Sequence, residues 1–136
     1  MTVATFSAIL DFAIRGETSV IEQLQAVVTK GTSVDREILA RVRAEAEKTL
    51  QMFRTIQQEH ITGTVVEPCE ALEETSYQVP DHPNDPVAWA GTVLDMQIRF
   101  LADAARVINL REVKRALDKV GKKKILLAKQ VKNRTV

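Results

Sequence analysis

Charged residues that interrupt apolar helical stripes are the first candidates for chemistry in this sequence. When residues 11–24 are written as a helix, the apolar side chains fall on one face, and Glu17 occupies a position of that face. Lys124 interrupts the apolar stripe of the C-terminal segment in the same way. A buried carboxylate or ammonium is costly unless it is paired, so each of these charges needs a counter-charge, a metal or a route to water.

Other potential sites have simple structural explanations. Glu59 and His60 are adjacent and would point to different sides of a helix, which makes them a poor chelate. The segment PDHPNDP at residues 80–86 is typical of a proline-rich turn that leads into a capped helix. Cys69, the only cysteine, has acidic rather than basic neighbours, so nothing activates its thiol. No nucleophilic triad, phosphate-binding loop or nucleotide fingerprint is found.

The composition favours a helical bundle. The 136 residues include only four Phe, one Trp and one Tyr, and the abundance of Ala, Leu, Glu, Lys, Gln, Arg and Val is typical of helices. This length predicts one domain, residues 1–136, with a single core. The N-terminal MTVATFSAIL lacks the basic start and apolar run of a signal peptide, and the lone cysteine suits a reducing compartment, so we expect a cytoplasmic protein.

Turn signals divide the chain into four predicted helices, at about residues 5–30, 33–61, 86–108 and 110–132. Gly31 separates the first two, and Asp85 and Pro86 supply the cap and first residue of the third. Residues 62–84 show no sustained period, so we expect a long crossover with one helical turn at CEALEE, residues 69–74. Two helical hairpins joined by one long crossover are a known four-helix-bundle topology.

The segment AILDFAIRGETSVIEQL, residues 8–24, resembles the first helix of the ferritin-like superfamily, and of its rubrerythrin-type domains in particular. In that family each hairpin gives a Glu from its first helix and a Glu-x-x-His from its second, and together they hold two iron ions. Carboxylates bridge and balance the cations, and imidazoles complete the coordination. The resemblance implies an all-α, ferritin-like four-helix bundle.

The family's ligand pattern transfers to this sequence incompletely. Glu17 matches the ligand of the first helix, and the remaining positions fall mostly on residues that cannot bind iron. These positions are Glu47, Leu50, Leu94, Lys124 and Leu127. Glu45 is a second candidate for the ligand of the second helix. In the third helix the ligand position falls on Leu94, and the adjacent Asp95 is the alternative ligand. Neither Glu-x-x-His motif is present, so we expect no metal, with an altered iron site as the alternative.

These departures suggest a role for the charge in the first helix. We expect Glu17 and Lys124 to form a buried ion pair at a relic metal site, with the ammonium where the cations stood. One alternative is that either side chain extends to solvent between helix ends. The other alternative is that Glu17 still binds a metal.

The resemblance implies two functional hypotheses, and the charge distribution adds a third. The first is a non-catalytic structural or interaction module, and the second is a di-iron oxidoreductase or iron-binding protein with an altered site. The third rests on residues 111–136, which carry ten Lys and Arg against two acids, whereas the rest of the chain carries nine against sixteen. The third hypothesis is that this basic helix binds an acidic protein partner or nucleic acid, although the lack of interleaved aromatic residues argues against nucleic acid. The alternative is a solvated helix face that complements the acidic remainder of the chain.

A homodimer is also expected, because bundles of this kind often pair through helix faces. Four large apolar residues lie off the predicted inward stripes and would supply such an interface: Phe12, Ile14, Trp89 and Phe100. No apolar run is long enough to span a bilayer, so no membrane partner is expected.

Overall fold

The computed structural model of this protein describes residues 2–27, 33–59, 68–79, 85–108 and 110–135. Within these residues the chain forms four α-helices, a two-stranded antiparallel ribbon and one short 3-10 turn. In chain order the elements are β1 (Thr2–Thr5), α1 (Phe6–Val27), α2 (Ser33–Glu59), β2 (Pro68–Glu73), the 3-10 turn (Glu74–Tyr77), α3 (Pro86–Val107) and α4 (Arg111–Thr135). The predicted helical class and four-helix bundle are confirmed.

The helices pack as two pairs, α1 along α2 and α3 along α4. Each pair is joined by a short connection, residues 28–32 in the first and 108–110 in the second, so the joined helices must lie side by side. α2 also contacts α3 and α4, and α1 contacts α3, which unites the pairs in one bundle. None of the described helices combines the length and apolar character that crossing a bilayer requires.

Local sequence explains where α3 begins and why α4 is long. Asp85 Oδ1 accepts a hydrogen bond from the Ala88 N–H at 3.3 Å, and Pro86 is the first helical residue, so the predicted cap is confirmed. α4 continues to Thr135, beyond its predicted end near residue 132, because no glycine or proline follows Gly121. The predicted ends of the first two helices, residues 28–30 and 60–61, lie outside the described residues.

The helical turn predicted at residues 69–74 is wrong, because most of this segment belongs to strand β2. The strand pairs antiparallel with β1, with Thr2 opposite Glu73 and Val3 opposite Leu72. The partner strand β1 comes from the N-terminal residues, more than 60 positions away in the sequence. Such long-range pairing overrides local helix propensity. Leu72 is buried and joins the helical core.

Tyr77 ties the end of the crossover to α3. Its hydroxyl donates a hydrogen bond to Asp103 Oδ2 at 2.5 Å, and its ring packs edge-on against Phe100 with centroids 5.2 Å apart. The guanidinium of Arg99 lies over the Tyr77 ring, 5.4 Å from its centroid, and donates a hydrogen bond to the backbone carbonyl of Ser76. The crossover is therefore held on α3 by apolar, aromatic and charge-assisted contacts together.

The exposure predicted for four apolar residues is wrong for two of them, Trp89 and Phe100. Trp89 is only 7 % exposed and Phe100 only 5 %, while Phe12 and Ile14 are half-buried. Phe100 packs against Phe12 as well, with ring centroids 5.2 Å apart. The buried face of α3 is wider than one stripe because the helix contacts α4, the other pair and the segment around Tyr77. The homodimer stays a prediction, and the buried Trp89 and Phe100 do not supply an exposed surface for it.

The apolar core is divided into two halves along the bundle. One half combines the start of α1, the end of α2, the end of α3 and the start of α4; its members include Ile9, Phe53, Leu101 and Leu117. The other half uses the opposite ends of the same helices; its members include Leu24, Leu39, Leu94 and Leu127. At the boundary, the buried polar side chains among the described residues come one from each helix: Glu17, Thr49, Gln97 and Lys124.

Candidate functional site

A polar layer crosses the middle of the bundle between the two apolar halves. We define the central polar layer as Glu17 of α1, Glu45 and Thr49 of α2, Gln97 of α3 and Lys124 of α4. Its centre is closed to solvent, because the side chains of Lys124 and Glu17 are 1 % and 4 % exposed. Glu45 lies at the rim, with 13 % of its side chain exposed. Helical periodicity puts each residue on the inward face of its helix, and the bundle then brings the five together.

Lys124 is the centre of this layer. Its Nζ atom lies 2.7 Å from Glu45 Oε2, 3.0 Å from Gln97 Oε1 and 3.0 Å from Glu17 Oε1. An ammonium group has three N–H donors, so each donor has one acceptor. The two residues that the sequence predicts as a pair therefore lie in contact, and neither extends to solvent. Pairing and hydrogen bonding offset the cost of burying the charges.

The carboxylate of Glu45 is positioned from both sides. The hydroxyl of Thr49, one turn further along α2, donates a hydrogen bond to Glu45 Oε1 at 2.6 Å, while Lys124 donates to Oε2. Both oxygen atoms therefore have partners, and the side chain is directed into the layer. In contrast, Glu17 Oε2 is buried and has no hydrogen-bond partner among the described residues.

Burial determines how the two central charges titrate. Desolvation raises the pKa of Glu17 from its ordinary 4.5 to about 6, although the Lys124 ammonium partly offsets this shift. Burial also disfavours the charge of Lys124, but the carboxylates of Glu17 and Glu45 outweigh it and raise the pKa of the lysine. Lys124 therefore stays charged at neutral pH, whereas Glu17 takes up a proton slightly below neutrality.

A small cavity lies beside Glu17. Its volume is about 20 Å³, and its walls include Gly16, Phe53, Gln97 and Phe100. This space suits about one water molecule. It is too small for an organic substrate.

The structure separates the acidic candidates for metal ligation. Glu45 joins the central polar layer, whereas Glu47 is exposed and pairs with Arg43 of the preceding turn at 3.0 Å. Asp95 is also exposed and pairs with Lys132 at 2.9 Å. Glu47 and Asp95 therefore lie on the surface of the bundle, and Glu45 is the acid of α2 that shares Lys124 with Glu17.

The residues of this layer do not fit a di-iron centre. Leucine occupies three of the ligand positions that the sequence resemblance predicts, and its side chain has no atom that can bind a metal. These residues are Leu50, Leu94 and Leu127, of which the last two are buried in the apolar core. Among the described residues, no group of three or more His, Cys, Asp and Glu side chains could hold a metal ion. Both histidines of the chain, His60 and His82, lie outside the described ranges. At the centre, Lys124 supplies a positive charge between the carboxylates of Glu17 and Glu45.

Gln97 and Thr49 are members of the layer that the sequence-based prediction lacks. A helical stripe through Ala90, Leu94, Gln97, Leu101 and Ala104 has the required spacing, so the sequence does contain a signal for Gln97. The signal is ambiguous, because a stripe rotated by one residue through Ile98 fits equally well. Only the packing of α3 against α4 decides between the stripe through Gln97 and the stripe through Ile98.

Fold and site together define a four-helix bundle whose core is crossed by a lysine-centred polar layer. No protein-family model matches the chain, and no curated protein or solved structure matches it. Conclusions about function therefore rest on the chemistry of this layer and on the surface of the bundle.

Proposed function

We propose that this protein is a metal-free four-helix module of ferritin-like topology, which acts through its surface as a structural or interaction module and not as an enzyme. The observation that carries the proposal is the contact of one ammonium, Lys124 Nζ, with both Glu17 and Glu45 at 3.0 and 2.7 Å. These carboxylates are the ones that a metal in the bundle core would need.

The charge balance of the layer argues against a metal there. A divalent cation would have to displace the Lys124 ammonium from two carboxylates. The lysine would then have to lose its proton, and its raised pKa makes this loss unfavourable at neutral pH. In a protein that bound two irons, we would expect this position to carry a ligand instead of a competing charge.

The dimensions of the core argue against catalysis at the layer. The cavity beside Glu17 has a volume of about 20 Å³, which is too small to admit an organic substrate to this carboxylate. Catalytic groups must contact the reacting atoms, and the groups of the layer contact one another. The evident physical effect of the central polar layer is to fix how the four helices pack.

The connectivity of the helices supports the ferritin-like topology. Short connections join α1 to α2 and α3 to α4, and a long segment that includes β2 links the two pairs. This is the bundle topology with one crossover. The ribbon of β1 and β2 is an addition to a simple bundle.

Metal loading tests the proposal. We expect protein purified without chelators to contain no stoichiometric iron by elemental analysis, and its melting temperature to be unchanged by ferrous iron or Co²⁺. Removing the ammonium should expose the carboxylates, so Lys124→Glu and the less crowded Lys124→Ala should become more stable when Co²⁺ is added. Lys123→Glu, which changes the exposed neighbour, is the matched control and should not respond to Co²⁺.

Two equivalents of iron in the wild-type protein, lost on Glu17→Gln, would contradict the proposal and favour a di-iron oxidoreductase. Iron that persisted in Glu17→Gln would also contradict a metal-free role, but it would assign the metal to another site.

A further inference from the structure

We propose that the outer face of α4 is a docking surface for an acidic amphipathic helix of a partner protein. We define the α4 face as Lys119, Lys122, Lys123, Ile125, Leu126 and Lys129. The inference names a surface and a partner class for the binding role proposed above and rests on that role.

Two aliphatic side chains at the centre of the α4 face are exposed. Leu126 is 62 % exposed and Ile125 is 40 % exposed, and no other large apolar side chain among the described residues is as exposed. Burying such area is favourable, at about 25 cal/mol per Å². Leu126 therefore offers a partner an apolar anchor on a helix that is otherwise polar on this side.

The lysines around this anchor form no ion pairs within the part of the chain that the structure describes. Lys119, Lys122, Lys123 and Lys129 are exposed, and none forms an ion pair with an acid among the described residues. Other basic residues do pair: Lys132 contacts Asp95, and the two arginines at positions 41 and 43 contact glutamates one turn away. The α4 face is thus a net positive surface: four lysines without an ion pair among the described residues surround the anchor, and one exposed acid, Asp118, lies one turn before Lys122.

The spacing of these residues fits a helix. Lys119, Lys122, Leu126 and Lys129 follow one another at intervals of three and four, so they form one row along the helix surface. The row spans about 15 Å at 1.5 Å per residue, roughly three turns. A partner helix with acids at the same spacing around one aliphatic residue would set carboxylates against the lysines and cover Leu126.

Other occupants fit less well. A symmetric dimer through this face would place one row of lysines against the same row of the second copy. A membrane-surface helix inserts its wide apolar face, but that face of α4 is packed inside the bundle, with Val113, Leu117 and Leu127 in the core. Nucleic acid would use the charges but gains nothing from an aliphatic anchor without aromatic neighbours.

A peptide titration of the full-length, isotope-labelled protein tests the inference. The probe is a synthetic helical peptide with glutamates at intervals of three and four around a central leucine. We expect the amide shifts that change in low salt to fall on residues 119–130. Lys122→Glu/Lys129→Glu should weaken binding by at least about tenfold, and Leu126→Ser by about threefold or more.

The matched control is Lys48→Glu/Arg54→Glu, which makes the same change in net charge at exposed positions of α2. It should change the affinity by less than about twofold, as expected when local charge and not net charge decides binding. Because all these substitutions lie outside the central polar layer, they leave the metal test of the proposed function unaffected. Failure of peptide binding in an iron-free protein would thus overturn this inference alone.

Four outcomes would overturn the docking of an acidic helix. The peptide could fail to bind, or Leu126→Ser could leave the affinity unchanged, which would indicate unspecific charge attraction. Tighter binding to phosphatidylserine vesicles or to duplex DNA, lost in the same lysine variant, would assign the face to lipid or nucleic acid. Self-association in sedimentation that Leu126→Ser abolishes would assign it to a second copy of the chain.

Discussion

Lys124 Nζ in α4 lies 2.7 Å from Glu45 Oε2 in α2, although 79 positions separate the two residues in the sequence. This contact connects the buried centre of the polar layer with its partly exposed rim. Any rotation or sliding of α4 against α2 would break it and leave charge without a partner in the core. We therefore expect the layer to specify one register of the helices at some cost in stability.

Replacing Lys124 alone should destabilise the fold strongly. In Lys124→Met the Glu17 carboxylate remains buried without its counter-charge, so we expect the free energy of unfolding to fall by about 3–5 kcal/mol. Urea denaturation at neutral pH, followed by the fluorescence of the single, buried Trp89, measures this change. Lys123→Met is the control and should change stability by no more than about 0.5 kcal/mol.

The double variant Glu17→Leu/Lys124→Met should recover most of that loss. Both central charges are then replaced by apolar groups, and Glu45, whose side chain is already 13 % exposed, can turn towards water. A loss in the double variant equal to the sum of the losses in Glu17→Leu and Lys124→Met would show that the two residues are not coupled.

Stability should rise as the pH falls through 6. The folded-state pKa of Glu17, about 6, exceeds the ordinary 4.5, so between these values the native state binds a proton that the unfolded chain releases. The difference between the two pKa values corresponds to about 2 kcal/mol in the free energy of unfolding. Relative to Glu17→Gln, the wild-type protein should gain this amount as the pH is lowered from about 7.5 to about 4.5. Urea denaturation of both proteins across this range measures the gain, and parallel pH profiles would contradict it.

Tyr77 should ionise only at strongly alkaline pH. Burial and the hydrogen bond to Asp103 raise the pKa of its hydroxyl from 10.0 to about 12. Because Tyr77 is the only tyrosine, the ultraviolet absorbance of tyrosinate reports on it alone. Asp103→Asn should lower the titration midpoint, while circular dichroism confirms that the helices persist. A midpoint near 10 in the folded wild-type protein would show that the contact does not form.

Gly16→Ala should stabilise the protein. A Cβ at this position of α1, at the edge of the cavity beside Glu17, meets nothing within 4 Å and therefore has open space. Alanine is favoured over glycine inside a helix by about 0.5–1 kcal/mol, and thermal unfolding measures the gain. Gly121→Ala, which is equally free of contacts but does not line the cavity, is the control. A loss for Gly16→Ala with a gain for Gly121→Ala would show that the cavity must stay open.

Several features of the fold could be predicted because they depend on neighbouring residues. The cap at Asp85 and the helix start at Pro86 follow from side-chain and ring geometry within one turn. The inward positions of Glu17 and Lys124 follow from helical periodicity, which the apolar residues on either side make unambiguous. Sequence spacing alone does not decide between Glu45 and Glu47, because they lie to either side of the predicted stripe.

The sequence by itself thus determined four amphipathic helices, the Asp85 cap of α3 and two charges that had to be buried. The tertiary structure alone decided that Glu45 and Gln97 complete the layer, that Phe100 and Trp89 are buried, and that residues 68–73 form a strand. The physical reason is that each of these features depends on which distant segment lies opposite. Helix rotation and strand pairing are settled by contacts between residues far apart in the chain, and local periodicity carries no information about those contacts.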